Sequence, residues 1–287
     1  MLFGANPIFI KLTFAGLGPF TTAALRFLLA SAALAIWIKA TGQSLRPPAG
    51  CSYQLGILGL GFTVQLSLVY FGLSKTNASR GVLLTNLQPF FLLFLAHFFI
   101  PGDRITVRKS LGLVMGFFGL ALVFLESEGV TADFRIGDLM IVLATVWWAC
   151  LVVYLKRIID HHHPLQIVFY QTLIAVPFCL LQALLWDTRM VYALTPTVVA
   201  ALLYQALVTA SFGFVAWNTL LQKYGAVAIH SFVFMMPMAG VCLSGLILDE
   251  PITPKIITAL LLITTGLLII HVRPKKAVSV YPLRKSP

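Results

Sequence analysis

Arg26 is a full charge in an apolar setting: between Pro19 and Lys39 no other side chain ionises. It falls about eight residues, or roughly 12 Å of helix rise, from one end of an apolar run. An isolated cation at that depth is costly in hydrocarbon and normally faces a bundle interior or a wet cavity. Its helical face reads Thr22, Arg26, Ala30 and Ala33, which is small, while Leu25, Phe27, Leu28 and Trp37 fall largely elsewhere. Such a cation can attract an anionic group of a ligand, a carboxylate for instance. The competing reading has the guanidinium snorkel outward or pin helices through backbone carbonyls. Lys11 lies closer to the end of its run and reads first as an anchor.

A polar and aromatic set accompanies Arg26 inside the apolar runs: Asn6, Gln65, Tyr70, Asn86, Gln88, Trp148, Tyr154, Tyr170, Gln171, Gln205, Trp217, Asn218 and His230. Amide and indole groups in hydrocarbon need partners, so part of the set is expected on a polar pathway and part in bonds between helices. His230 is also a candidate for protonation coupling, against a structural role. Pro89 and Pro237 fall mid-run and each frees the carbonyl four residues earlier, at Thr85 and Val233. They are candidate hinges, or static kinks, and Pro177 reads as a simple kink.

Other chemistry is not supported. His161-His162-His163 reads as a solvated loop, because adjacent side chains cannot converge on one ion and no carboxylate or cysteine cluster completes a shell. No metal site or cofactor is expected. The four cysteines are far apart and read as packing residues, without disulfide or CxxC spacing. All nine acidic residues, Asp138 among them, fall in expected loops or helix ends, so no carboxylate relay is expected mid-span and facilitated diffusion or exchange is favoured over proton antiport. Walker, HExxH and nucleophile-elbow signatures are missing, and an enzyme is not expected.

The elements that position these residues follow from composition. Of 287 residues 59% are hydrophobic and 10% charged, where a soluble domain carries about 25% charged residues. The outer shell must therefore be lipid. Continuous rather than alternating apolar runs exclude a β-barrel. Ten runs are bounded by Gly, Pro and charge, at 1–14, 18–39, 53–74, 78–99, 107–125, 137–156, 165–186, 197–218, 225–247 and 255–272. The sequence predicts an all-α membrane protein of ten transmembrane helices, followed by a basic tail over 273–287. No charged n-region with a cleavage site opens the chain. The net charge of +11 is scattered between apolar runs and does not indicate nucleic-acid binding.

With both termini cytoplasmic, Lys39, Arg46, Arg104, Arg108, Lys109, Lys156, Arg157, Lys223 and the tail fall inside, against Lys75, Arg80, Arg135, Arg189 and Lys255 outside. This is the orientation that basic residues favour.

The two halves repeat. Lys11 aligns with Lys156 and Arg26 with Gln171 at an offset of 145; Lys75 with Lys223 and Pro89 with Pro237 at 148; Thr106 with Thr253 and Gly119 with Gly266 at 147. Tyr70 and Asn218 are mates on the same scheme. Each unit has an odd number of spans, so residues 1–125 and 137–272 are expected as inverted five-helix repeats. That plan is typical of secondary transporters, with the ligand near the midplane. The alignment leaves the first helix short by about nine residues of its mate, and an upstream start or a truncated product is expected. Gly112, Gly116, Gly119, Gly240 and Ser244 form small-residue stripes for close packing.

Three stretches carry a family likeness: Phe3-Gly-Ala-Asn6 with Lys11 and Ala24-Leu25-Arg26-Phe27; Ala78-Ser79-Arg80 through Pro89 to Gly102-Asp103-Arg104-Ile105-Thr106; and Ala226, Pro237 and Asp249-Glu250-Pro251-Ile252-Thr253 with Gly266. In this order the chain resembles the EamA-type ten-helix branch of the drug/metabolite transporter superfamily. Gly102-Asp103 stands where that family usually shows Gly-Glu. The resemblance implies export or facilitated movement of small metabolites, often amino acids, by alternating access across a bacterial inner membrane. It also implies cytoplasmic termini and a peripheral position for the fifth and tenth helices. A phosphorylated metabolite or nucleotide-sugar cargo is the alternative, and a non-transporting sensor or assembly subunit another. Expected partners are a small-molecule substrate and the lipid bilayer, with a homodimer left open.

Overall fold

The computed structural model describes residues 2–44, 46, 52–99, 106–125, 132–159, 162–230 and 235–271. They form helices α1 (Leu2–Phe14), α2 (Pro19–Ala40), α3 (Ser52–Lys75), α4 (Ala78–Thr85), α5 (Gln88–Phe99), α6 (Val107–Phe124), α7 (Ala132–Ile158), α8 (Pro164–Trp186), α9 (Pro196–Leu203), α10 (Phe214–His230), α11 (Met235–Ile247) and α12 (Pro254–His271). A π-helical segment, Tyr204–Gly213, joins α9 to α10 without a break. Seven helical stretches are long and apolar enough to cross a membrane, and Met235–Ile247 and Pro254–Ile270 are shorter apolar helices. The chain is a multi-pass membrane protein, its apolar helices satisfying their own backbone groups in hydrocarbon.

The expected fourth helix is two pieces. Pro89, second in α5, removes an amide donor, and the chain turns at Asn86-Leu87 before helix resumes. Pro237 is the third residue of α11 as described, and residues 231–234 before it lie outside the described residues. Pro177 sits inside α8 without ending it. α10 runs on past Lys223, where a boundary between two helices was expected.

Small residues set the closest approaches. A Cβ on Gly112 would lie 2.7 Å from the Gly266 carbonyl oxygen, and one on Gly266 would lie 2.7 Å from that of Gly112. α6 and α12 therefore touch backbone to backbone, as small-residue stripes permit. Gly240 approaches the Gly4 carbonyl in the same way, which brings α11 against α1. Further packed pairs are α2 with α8, α3 with α7 and α8, α5 with α7, and α4 with α7 and α11.

One end of the bundle is tied by polar groups. Leu17 pairs with Val191 in a short bridge, and the Gly16 carbonyl accepts from the Tyr192 and Ala193 amides. Asp187 accepts from the Phe20 and Thr21 amides and the Thr21 hydroxyl, capping α2. Glu250 accepts from the Ala78 and Ser79 amides, at 2.6 and 2.8 Å, capping α4. Carboxylates suit these N-termini because the helix dipole and the free N–H groups both favour negative charge.

Two expectations about charge are corrected here. α7 begins at Ala132, so Asp138 lies within it and is fully buried, not at an exposed end. Its partner is Arg80, also buried, which charge counting had assigned to an external loop. His162, expected in solvent, is buried with its Nε2 3.1 Å from Gln54 Oε1. Of the cysteines, Cys179 packs in the core, whereas Cys150 and Cys242 are exposed on the apolar surface; Cys51 lies outside the described residues.

Candidate functional site

Arg26 does not snorkel. It is the eighth residue of α2 and only 2% exposed. Its Nη1 donates to the Tyr70 hydroxyl at 3.2 Å and its Nη2 to the Thr209 hydroxyl at 3.2 Å. The guanidinium also stands 5.0 Å from the centroid of the neighbouring Phe27 ring, an attraction between cation and ring quadrupole. Among the described residues no carboxylate lies within ion-pairing distance, and Nε–H has no acceptor. A buried cation held only by neutral groups retains much of its desolvation cost.

The partners of Arg26 belong to a wider network. Tyr70, buried on α3, donates to Gln205 Oε1 at 3.5 Å. Gln205 Nε2 reaches the Phe9 carbonyl at 2.9 Å and the Thr13 hydroxyl at 3.4 Å. The Thr209 hydroxyl lies 2.7 Å from the Gln205 carbonyl and 3.2 Å from Asn6 Oδ1. Gln205 and Thr209 both belong to the π-helical segment, which packs on α1 and α2, and π geometry within a helix often marks a functional site.

Beside the polar network runs an aromatic wall. Phe27 packs edge-on against Phe62, and Phe62 meets both Trp148 and Phe214 at 6.0 Å between centroids. Phe214 stacks on Phe3, which in turn meets Trp217 at 5.9 Å. A cation, neutral hydrogen-bonding groups and an aromatic surface thus lie together where α1, α2, α3 and the π segment converge.

Of the residues expected from sequence, Asn6, Arg26, Tyr70 and Gln205 meet directly, and Trp148 and Trp217 join through the aromatic wall. Gln171, the repeat mate of Arg26, is buried on α8 with its Nε2 lacking an acceptor. Others are engaged elsewhere. The Asn86 amide donates to the Val82 carbonyl at the α4–α5 break, and Asn218 donates to the Phe214 carbonyl of its own helix. Tyr154 reaches the Gln54 carbonyl at 3.4 Å near the start of α3. Tyr170 packs against Phe169, and Gln88 opens α5 half-buried. The His230 side chain lies outside the described residues. Sequence reasoning passed over Thr209, Thr13 and Phe27. The four-residue spacing of Gln205 and Thr209 was the available signal.

The sequence profile of the EamA-like transporter family matches residues 1–125 and 135–272. The chain belongs to that family. It is accordingly a membrane transporter of small molecules and not an enzyme. The "Probable amino-acid metabolite efflux pump" of Escherichia coli (strain K12) is 27% identical over 98% of this chain and 95% of the relative. An "Uncharacterized transporter" of Archaeoglobus fulgidus is 27% identical over 91% of this chain and 89% of its own. A solved crystal structure at 18% identity superposes with a TM-score of 0.69 over 93% of this chain and 92% of that one, which shows a common fold. In this EamA-like transporter, Arg26 is a buried cation without an acidic partner among the described residues.

Proposed function

We propose that this EamA-like protein is a secondary transporter that moves small carboxylate-bearing metabolites, amino acids and their relatives foremost, by alternating access. Ten membrane-crossing segments form two five-segment units of opposite orientation, residues 1–125 and 137–272. Both termini and the basic tail over 273–287 face the cytoplasm of a bacterial cell. The observation that carries the reading is Arg26: a buried guanidinium with no acidic partner among the described residues and an idle Nε–H. An incoming carboxylate supplies both the charge and the acceptor, and charge-assisted bonds of this kind are the strong ones. The amino-acid assignment also draws on the likeness to the Escherichia coli protein named a probable amino-acid metabolite efflux pump.

The inverted arrangement is supported by the packing. α2 with α8 and α6 with α12 each join an element to its own repeat mate, as elements on a twofold axis do. The remaining contacts occur in exchanged sets. α3 packs on α7 as α1 packs on α9 and the π segment, and α5 packs on α7 as α1 packs on α11. Gly112 against Gly266 likewise exchanges with Gly119 against Ala259. Rocking of the two units about the Pro89 and Pro237 regions then opens the Arg26 network to each side in turn.

Flux of labelled carboxylates into liposomes holding the purified full chain tests this. Arg26→Gln is expected to bring carboxylate flux to background without changing the elution profile in detergent. Undiminished flux through that variant would remove Arg26 from the site.

A further inference from the structure

We propose that Glu250 is a latch: its carboxylate ties the second unit to the first at one end of the bundle, and its release from the α4 amides opens the Arg26 site to that end. The inference rests on the alternating-access reading and gives it a moving part.

α4 is capped from outside its own unit. Asn77 stands at its N-cap position but makes no side-chain cap bond, although asparagine is a preferred cap. Glu250 takes that place from 172 residues away, its Oε1 accepting from the Ala78 amide and its Oε2 from the Ser79 amide. α6, α8 and α9 instead use their own Thr106, His163 and Thr195. A carboxylate on two free amides is a strong, charge-assisted contact. It is also reversible, because Asn77 is on hand to cap α4 once Glu250 leaves.

The repeat mates of this contact differ. At the offset of 148, Asn77-Ala78-Ser79 corresponds to Gly225-Ala226-Val227. There the chain stays helical from Phe214 to His230, so those amides are bonded within α10 and no free pair is offered. A capped break in one unit and a continuous helix in the other is the asymmetry of two inverted units held at one side of their cycle.

α1 couples the latch to the Arg26 network. Glu250 follows α11, and its N–H reaches the Ser244 carbonyl of that helix at 3.4 Å. α11 packs on both α1 and α4. Lys11, in the last turn of α1, and Glu250 attract by charge. The same helix gives the network Asn6, the Phe9 carbonyl and Thr13. Movement at Glu250 therefore moves one wall of the site.

Two pairs of spin labels test the latch, on the full chain in nanodiscs with the native cysteines replaced by alanine. Ser74→Cys with Leu246→Cys reports the Glu250 end, both positions being exposed on α3 and α11. Phe98→Cys with Lys223→Cys reports the opposite end, on α5 and α10. Without cargo, Glu250→Ala is expected to shift the closed-to-open ratio by about tenfold, lengthening the first distance as the second shortens. Glu250→Gln keeps one accepting oxygen without the charge and should fall between, and it reads the latch even where the alanine variant fails to fold. A longer first distance with the second unchanged is local fraying and overturns the latch. Native distances in both variants, with leucine still exchanging the two distances in the native chain, remove the latch and leave alternating access standing. No exchange in any sample overturns both. These distances are read without cargo, so reciprocal opening in the Glu250 variants upholds the latch even if carboxylate flux survives Arg26→Gln.

Discussion

Asp138 and Arg80 form a fork in the core. Arg80 Nε–H lies 3.0 and 3.2 Å from the two Asp138 oxygens, and Nη2 bonds the same carboxylate and the Val123 carbonyl. The Thr76 hydroxyl completes the carboxylate at 2.7 Å. The pair binds α4 to α7 and, through Val123, to α6.

Removing one member strands the other. Asp138→Ala is expected to destabilise the protein by about 3–5 kcal/mol, the usual cost of a broken buried pair. The double variant Arg80→Met with Asp138→Leu should recover most of that loss. Thermal unfolding in detergent reads both, and equal melting of the single and double variants contradicts the account.

Tyr70→Phe deletes an acceptor for Arg26 while keeping the ring's packing. A hydrogen bond to a charged group contributes about 1.5–3 kcal/mol. Carboxylate flux at low cargo concentration should fall about tenfold or more, with melting changed much less. A variant that transports normally shows that the Tyr70 hydroxyl does not orient the guanidinium.

Gly112→Ala puts a methyl against the Gly266 carbonyl, and overpacking of this kind costs about 1–3 kcal/mol. Gly56→Ala on α3, where nothing lies within 4 Å of the new Cβ, is the control and should melt no lower than the native chain. If the two variants melt alike, the α6–α12 seam is not the tight contact described.

Asp187→Ala leaves the Phe20 and Thr21 amides without their carboxylate. Loss of such a cap costs about 0.5–2 kcal/mol. Arg26 lies two turns along the same helix, so flux should fall as well as melting temperature. Asn in place of Asp187 keeps one accepting oxygen and should be intermediate in both measurements.

Pro89→Ala supplies the amide that the α4–α5 break lacks. The expected result is a chain that melts at or above the native temperature yet transports more slowly, because a continuous helix resists bending. Native flux in this variant would make the break a static kink.

Much of the scaffold was legible in one dimension. The apolar runs, the glycine stripes and the helix break before Pro89 all follow from length, hydropathy and backbone chemistry, which neighbouring residues determine locally. Arg26 stood out for the same reason, as a charge where water cannot reach. Asp138 was misread because the α7 boundary was set at Gly137, five residues late. Thr209 escaped notice because a threonine can satisfy its hydroxyl on its own helix, as this one also does at the Gln205 carbonyl.

By itself the sequence determined that the chain crosses a membrane as helices, and roughly where each helix begins and ends. It could not determine which polar side chains meet. Lipid-facing and core-facing positions are alike apolar, so these helices lack the amphipathic stripe that reports rotation in a soluble protein. Only the packed structure sets those rotations. It turned Arg26, Tyr70, Thr209 and Gln205 toward one another, and left Asn86, Tyr154 and Asn218 bonded elsewhere.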